Sequence, residues 1–170
     1  GAERYSELCA LVLGAGTHEN MVLIPDCMRS GRDAVLKGDW AGSLIYFNLA
    51  KGYGVDGVFI GQHIARCHYE LGRSLDAMKI LHGLSITYPD MPEVWYNLGY
   101  VLTQTEAYNE GAQAFERAQG LSPDDPLYAF AWVCAMAGKG AMEEIWPTLE
   151  WLDRDHAAST PAWMEGSAKY

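Results

Sequence analysis

The sequence lacks the features that mark enzymes, membrane proteins and nucleic-acid binders. No apolar run approaches the roughly 18 residues of a membrane span, and no Walker phosphate loop, G-x-S-x-G or H-E-x-x-H motif occurs. Lysine and arginine number 12 against 22 acidic residues, which gives a formal net charge of -10. Nucleic acids and anionic membranes both recruit basic residues, so neither partner is expected. These absences favour a protein that is not an enzyme, has no cofactor and is not inserted in a membrane.

Cysteine is scarce, and no C-x-x-C pair occurs. The pattern predicts reduced thiols in the core or on a binding surface rather than disulfides. His63 and Cys67 are four residues apart, so they share a helix face and could supply two zinc ligands. Two more ligands would have to come from other helices. A buried histidine beside a small apolar cysteine is the simpler interpretation, and no metal site is expected. The cysteines are Cys9, Cys27, Cys67 and Cys134.

A glycine in the middle of a predicted helix is the first specific feature. The stretch EVWYNLGYVL follows a proline and has helical periodicity, yet Gly99 costs about 1 kcal/mol there relative to alanine. Something must therefore approach the backbone closely at Gly99. Gly99→Leu should therefore overpack the site, whereas Gly99→Ala should be mild because alanine restricts the unfolded chain.

Large and small residues recur at fixed offsets around this glycine. The set is Trp95, Leu98, Gly99, Leu102, Gly111, Phe115, Ala118 and Pro123. It resembles the tetratricopeptide repeat (TPR), a pair of antiparallel helices with a period of about 34 residues. Leu102 stands where the family prefers tyrosine, and Gly111 where it prefers alanine. The resemblance implies that Gly99 and Gly111 face each other across the helix pair.

Further copies of the pattern lie on both sides of this unit. The second unit has Gly61 in place of the tryptophan, and the fourth begins at SPDDPLY, where Asp125 can cap the helix and Pro126 takes its first turn. The resemblance implies an all-α fold, a right-handed superhelix of antiparallel helix pairs with a concave inner surface. The four expected pairs span residues 24–57, 58–91, 92–125 and 126–153.

Two shorter segments flank the expected repeats. Residues 1–23 should hold a capping helix over about 3–13 and the loop GAGTHEN, and residues 154–170 an irregular tail. The chain begins Gly-Ala without a methionine, which is consistent with a trimmed N-terminus. A charged-then-apolar signal pattern is missing, so a cytoplasmic location is expected.

The resemblance also predicts where a partner binds. In this family the first helix of each pair lines the concave surface, and the side chains between its core positions face the ligand. Tyrosine, phenylalanine, methionine and arginine, which are enriched at protein interfaces, fill these positions here. Alternatively, some of them pack between repeats or are covered by the ends of the chain. The candidate partner-binding residues are Met28, Arg32, Phe59, Gln62, Arg66, Tyr69, Tyr96, Tyr100 and Phe130.

Two functions fit this surface. The first is a scaffold or adaptor that binds a peptide segment of a partner protein in the groove. The second is a dedicated chaperone of a secreted client. The size, leading helix, acidity and aromatic groove are similar in layout to the small cytoplasmic chaperones of type III secretion translocators.

The C-terminal end of the array predicts association. Its last helix carries more large apolar residues than one buried face can hold, and a stacked repeat needs a polar cap at its end. We therefore expect a homodimer through the last helix pair, or docking of the tail segment PAWMEG. The residues concerned are Ile145, Trp146, Leu149, Trp151, Leu152, Trp163 and Met164.

Overall fold

The structure, a computed structural model, describes residues 18–55 and 57–156, and the side chains of residues 23–55 and 57–154. These residues form eight α-helices and no strand, so the predicted all-α class is confirmed. The expected N-terminal helix and most of the expected tail lie outside the described residues. The helices are α1 His18–Leu36, α2 Trp40–Gly52, α3 Val58–Glu70, α4 Ser74–Thr87, α5 Pro92–Gln104, α6 Tyr108–Leu121, α7 Pro126–Lys139 and α8 Met142–His156.

The chain divides into two compact units, Gly1–Leu84 and Ser85–Tyr170. The first holds α1, α2, α3 and most of α4. The second holds the last residues of α4 and then α5 to α8. Each unit has its own hydrophobic core, built where α1, α2 and α3 meet in the first and where α6, α7 and α8 meet in the second.

Helix α1 begins earlier than predicted. It starts at His18, so the last residues of the expected loop GAGTHEN are helical. Pro25 lies inside this helix, where its missing N–H removes one backbone hydrogen bond. Ile24 beside it is buried at 2% exposure, and this burial helps to offset the proline.

Two aspartates fix helix starts in the manner expected of N-caps. The side chain of Asp125 accepts a hydrogen bond of 2.9 Å from the Leu127 N–H, and Pro126 is the first residue of α7, as predicted. The Asp39 carboxylate accepts a bond of the same length, 2.9 Å, from the Gly42 N–H at the start of α2. A Cβ at Gly42 would collide with that carboxylate, so glycine and cap depend on each other.

In the first unit α1 crosses α2 closely at a glycine. A Cβ at Gly31 would lie 2.9 Å from Cε1 of the buried Phe47. Next to this contact, the Cys67 thiol donates a hydrogen bond of 3.3 Å to Ser43 Oγ, and the Ser43 hydroxyl donates one of 3.0 Å to the Gly31 carbonyl. Ser43 is fully buried at 0% exposure. The relay therefore joins α3, α2 and α1 while leaving no buried hydroxyl unpaired.

In the second unit α5 crosses α6 in the same manner. A Cβ at Gly99 would lie 2.9 Å from Cδ1 of Phe115 and 3.0 Å from the Gly111 carbonyl oxygen. The two glycines therefore face each other, as predicted. Thr103 Oγ1 donates a hydrogen bond of 2.8 Å to the Gly99 carbonyl. The glycine that is costly in an isolated helix is required for this crossing.

The departure at Gly61 is explained by a compensating change of size. A Cβ at Gly61 would lie 2.9 Å from Cδ1 of Leu84, which fills the space. At the same two positions of the next repeat, the sequence has Trp95 and Ala118. The second repeat pairs a small first residue with a large second one, and the third repeat reverses the order.

The expectation that Gly99→Ala is mild is wrong. The new methyl group would press on the Phe115 ring and on backbone at Gly111. We predict a loss of about 1 kcal/mol or more in the free energy of unfolding, because overpacking outweighs the gain of about 1 kcal/mol in helix propensity. Gly99→Leu should lose more.

Gly120 provides the matched control, because a Cβ there would meet nothing within 4 Å. Gly120→Ala should be neutral or stabilise the protein by up to about 1 kcal/mol. Urea unfolding of the variants measures both. Equal stability of Gly99→Ala and Gly120→Ala would contradict the close crossing.

Candidate functional site

The nine predicted partner-binding residues all lie on the first helices of the pairs, α1, α3, α5 and α7. Four are exposed to solvent: Arg32, Phe59, Arg66 and Tyr100. The other five are half-buried and so contribute to packing as well: Met28, Gln62, Tyr69, Tyr96 and Phe130.

In the first unit an aromatic stack supports the exposed Phe59. The His63 and Phe59 rings are nearly perpendicular, at 79°, with their centroids 4.5 Å apart. His63 also stacks on the buried Phe47 at 4.7 Å and an interplanar angle of 13°. Phe59 is 59% exposed, so a large ring is held in place by the core while most of it remains accessible. Met28 packs against the same core.

Two arginines accompany this stack. The Arg66 guanidinium lies 5.4 Å from the centroid of the Trp40 ring, and its Nε is 3.7 Å from the Glu70 carboxylate. Burial lowers the pKa of His63, and the positive charges of Arg66 and Arg32 lower it further. The imidazole is therefore neutral at pH 7, and it supports Phe59 as an uncharged aromatic ring.

Sequence reasoning considered His63 as a zinc ligand and missed this supporting role. The signal that could have found it is the four-residue spacing of Phe59 and His63, which places the two rings on one helix face. Cys67, the other proposed ligand, donates to Ser43, and burial raises the pKa of its thiol. In residues 18–55 and 57–156 no group of three or more histidine, cysteine and acidic side chains could hold a metal ion.

In the second unit the predicted tyrosines meet residues of α6 and α7. The ring of Tyr96 lies 5.7 Å from Phe115 and 5.7 Å from Tyr128, measured between centroids. Burial raises the pKa of Tyr96, and the nearby Tyr100 and Cys134 raise it further. The structure thus brings Tyr96, Tyr100 and Cys134 together. Tyr100, at 41% exposure, is the accessible member of the group.

Tyr128 is a further residue that sequence reasoning missed. It is 5% exposed, and its ring supports Tyr96 from α7. The signal was its position in the repeat, because Val94 at the same position of the preceding repeat is also buried. Phe130 packs partly against the core of this unit. Tyr96 and Phe130 therefore serve packing as well as any binding surface.

The last helix only partly buries its apolar residues. Ile145 and Leu152 are 2% exposed, whereas Met142 is 51% and Trp146 59% exposed. The expected homodimer through this helix pair stays a prediction.

Among the described residues, the helices are too short or too polar for any of them to cross a membrane.

Comparison with known proteins identifies the fold. No family model and no curated protein matches the sequence. Solved structures do match. MamA (residue 41 to its end) from Desulfovibrio magneticus RS-1 is 16% identical with a TM-score of 0.67, over 91% of this chain and 97% of that one. The TPR domain of Arabidopsis OM64 is 16% identical with a TM-score of 0.62, over 69% of this chain and 98% of that one.

A third match concerns the chaperone layout. PcrH, solved in complex with the chaperone-binding region of PopB, is 14% identical with a TM-score of 0.56, over 74% of this chain and 98% of that one. Such low identities show the fold alone. The protein thus has the helical-repeat fold of TPR proteins, and both resemblances found in the sequence have counterparts among solved structures.

The lowered pKa of His63 predicts a pH dependence of stability. The unfolded chain binds this proton more tightly than the folded one, so stability should fall as the pH drops through the ordinary histidine range near about 6.5. His63→Phe keeps an aromatic ring and removes the titration. Its unfolding free energy should therefore fall less between pH 7.5 and pH 5.5 than that of wild type.

Gly120→Ala, which leaves every titratable group in place, provides the control and should keep the wild-type pH dependence. Thermal or urea unfolding at several pH values measures all three proteins. Parallel curves for wild type and His63→Phe would show that His63 titrates equally in both states.

Proposed function

We propose that this chain is a non-catalytic interaction module that binds a peptide segment of a partner protein through the first helices of its repeats. One observation carries the proposal: the first helices expose aromatic rings, and the exposed Phe59 is supported by His63, which stacks on the buried Phe47. Tyr100 is exposed as well and lies one helical turn after the half-buried Tyr96. Preorganised, accessible aromatics are typical of binding hot spots, since little conformational entropy is lost when a partner covers them.

The groups around the two rings suggest what each would bind. Arg32 and Arg66 act electrostatically on His63, the ring that supports Phe59, and their positive charges favour an acidic side chain near an apolar one. Tyr100 lies one helical turn after Tyr96 on α5, and the two tyrosine rings favour an apolar segment. An extended strand or a short helix of the partner can present such side chains at regular spacing.

A second candidate function is that of a dedicated cytoplasmic chaperone for a secreted client, of the type III secretion translocator type. The match to PcrH, whose structure contains a bound segment of PopB, favours it. A neighbouring gene for an export apparatus would support this alternative over a general adaptor. The chaperone also has to keep its client soluble, so the bound segment should aggregate when the protein is withheld.

The test begins with peptides selected from a displayed random library on the intact chain and titrated by fluorescence anisotropy. Phe59→Ala and Tyr100→Ala should weaken binding of the peptide that contacts them about tenfold or more, as expected for hot-spot aromatics. These two residues are preferable to Tyr96, because Tyr96→Ala would also remove packing against Phe115 and Tyr128.

Leu75 and Ile86 on α4 supply matched controls, because they are exposed apolar residues on a second helix at 70% and 69% exposure. Leu75→Ala and Ile86→Ala should change affinity less than twofold. Circular dichroism should show unchanged helix content in all four variants. If only the α4 variants weaken binding, the partner docks on the second helices and the proposal is wrong.

A further inference from the structure

Helix α2 exposes an apolar surface that the described residues of its own unit do not cover. Its buried side is filled by Phe47 and Ala50, both at 0% exposure. On the outer side Ile45 is 60%, Leu49 44% and Tyr46 38% exposed. A helix that is apolar all round is normally buried, so one side of α2 is accessible where burial is expected.

Equivalent positions in the next two repeats show that this surface is unusual. Ile45 corresponds to Lys79 in α4 and to Gln113 in α6, and all three are spaced by one repeat of about 34 residues. Lys79 and Gln113 are both exposed. The position therefore faces water in each pair, and only the first pair fills it with a large apolar side chain. At the following turn Leu49 corresponds to Gly83 and then to Arg117.

Charge determines which partner this surface fits. The chain has a formal net charge of -10, so two copies repel each other wherever acidic side chains meet. Among the eight described helices, only α2 and α7 contain no aspartate or glutamate. In α7 the large apolar residues Tyr128, Val133 and Met136 are buried. One large apolar residue of α7, Leu127, is exposed at 46%, whereas α2 exposes three on one side, Ile45, Tyr46 and Leu49. Helix α2 is thus the acid-free helix with the larger apolar surface available to a second copy.

The last helix, through which the sequence predicted a homodimer, fits a second copy less well, and the interface proposed below replaces that expectation. Its exposed Trp146 is accompanied on α8 by the exposed Glu143, Glu144 and Glu150. A two-fold pairing through α8 would bring both sets of carboxylates together, at an electrostatic cost that α2 avoids.

We propose that two copies of the chain associate through the outer side of α2, with the two helices antiparallel about a two-fold axis near Ile45. In this arrangement Ile45 meets Ile45 of the partner subunit. Leu49 lies at the level of Ala41 of the partner subunit, so a large side chain is set beside a small one. An interface of this kind is isologous and closes after two copies.

This association uses other residues than the proposed peptide binding, and it would add to the affinity for a partner that has two segments. The interface uses none of the nine candidate partner-binding residues, so a dimer carries two sets of them and gains avidity for a partner with two segments. One helix face is smaller than the about 800 Å² per subunit of a standard stable interface. The dimer therefore forms at micromolar rather than nanomolar concentration.

Sedimentation equilibrium on the intact chain, loaded from about 5 to 200 μM to cover the range of such weak interfaces, tests the proposal. The mass of the wild type should rise from the 18.8 kDa of one chain towards twice that value. Ile45→Lys/Leu49→Arg, which installs the residues found at Lys79 and Arg117, should keep the mass of one chain. Ile45→Gln, which copies Gln113 without added charge, should weaken the dimer at least tenfold.

Two controls separate this interface from other causes. Asn109→Arg/Gln113→Lys places the same added charge on the outer side of α6 and should leave the dimer intact. Trp146→Glu should leave it intact as well. Circular dichroism and melting temperature should match wild type in every variant. A wild-type mass of one chain at all concentrations overturns the proposal, as does a dimer that survives both α2 variants.

Discussion

The close crossing of the two helices in a pair is the constraint on which the structure depends. Where α1 meets α2 and where α5 meets α6, a glycine lets a phenylalanine ring from the second helix reach the backbone of the first. A Cβ at Gly31 or Gly99 would come to 2.9 Å from that ring. In these two pairs the ring lies between the helices. The glycine therefore sets the distance between the two helices, and the neighbouring side chains pack at that distance.

The same crossings also order side chains on the first helices of the pairs. The buried Phe47 on α2 supports a side chain on α3, the first helix of the next pair. The buried Phe115 on α6 supports a side chain on α5, the first helix of its own pair. Phe47 stacks on His63, which supports Phe59, and Phe115 contacts Tyr96. The residues that hold the pair together thus also order the aromatic surface to which we assign peptide binding.

The repeat and its small–large pairs could be predicted from sequence because they are periodic. Gly99, Gly111 and Phe115 stand in a pattern that specifies both the helices and their contact. Non-periodic features could not be predicted. The Cys67–Ser43–Gly31 relay depends on a single hydroxyl. Helix α1 begins at His18 although Pro25 lies inside it. For the candidate surface, sequence identified the helices but not the support of Phe59 by His63, which needs the ring geometry.

A double-mutant cycle on the first crossing tests the central claim most directly. At the positions of Gly31 and Phe47, the second pair of the same chain has the buried residues Ala65 and Leu81. Gly31→Ala and Phe47→Leu should each destabilise the protein, by overpacking and by a cavity respectively. If the ring and the glycine determine each other, the double variant should recover about 1 kcal/mol or more relative to the sum of the two losses. Strictly additive losses would contradict the account.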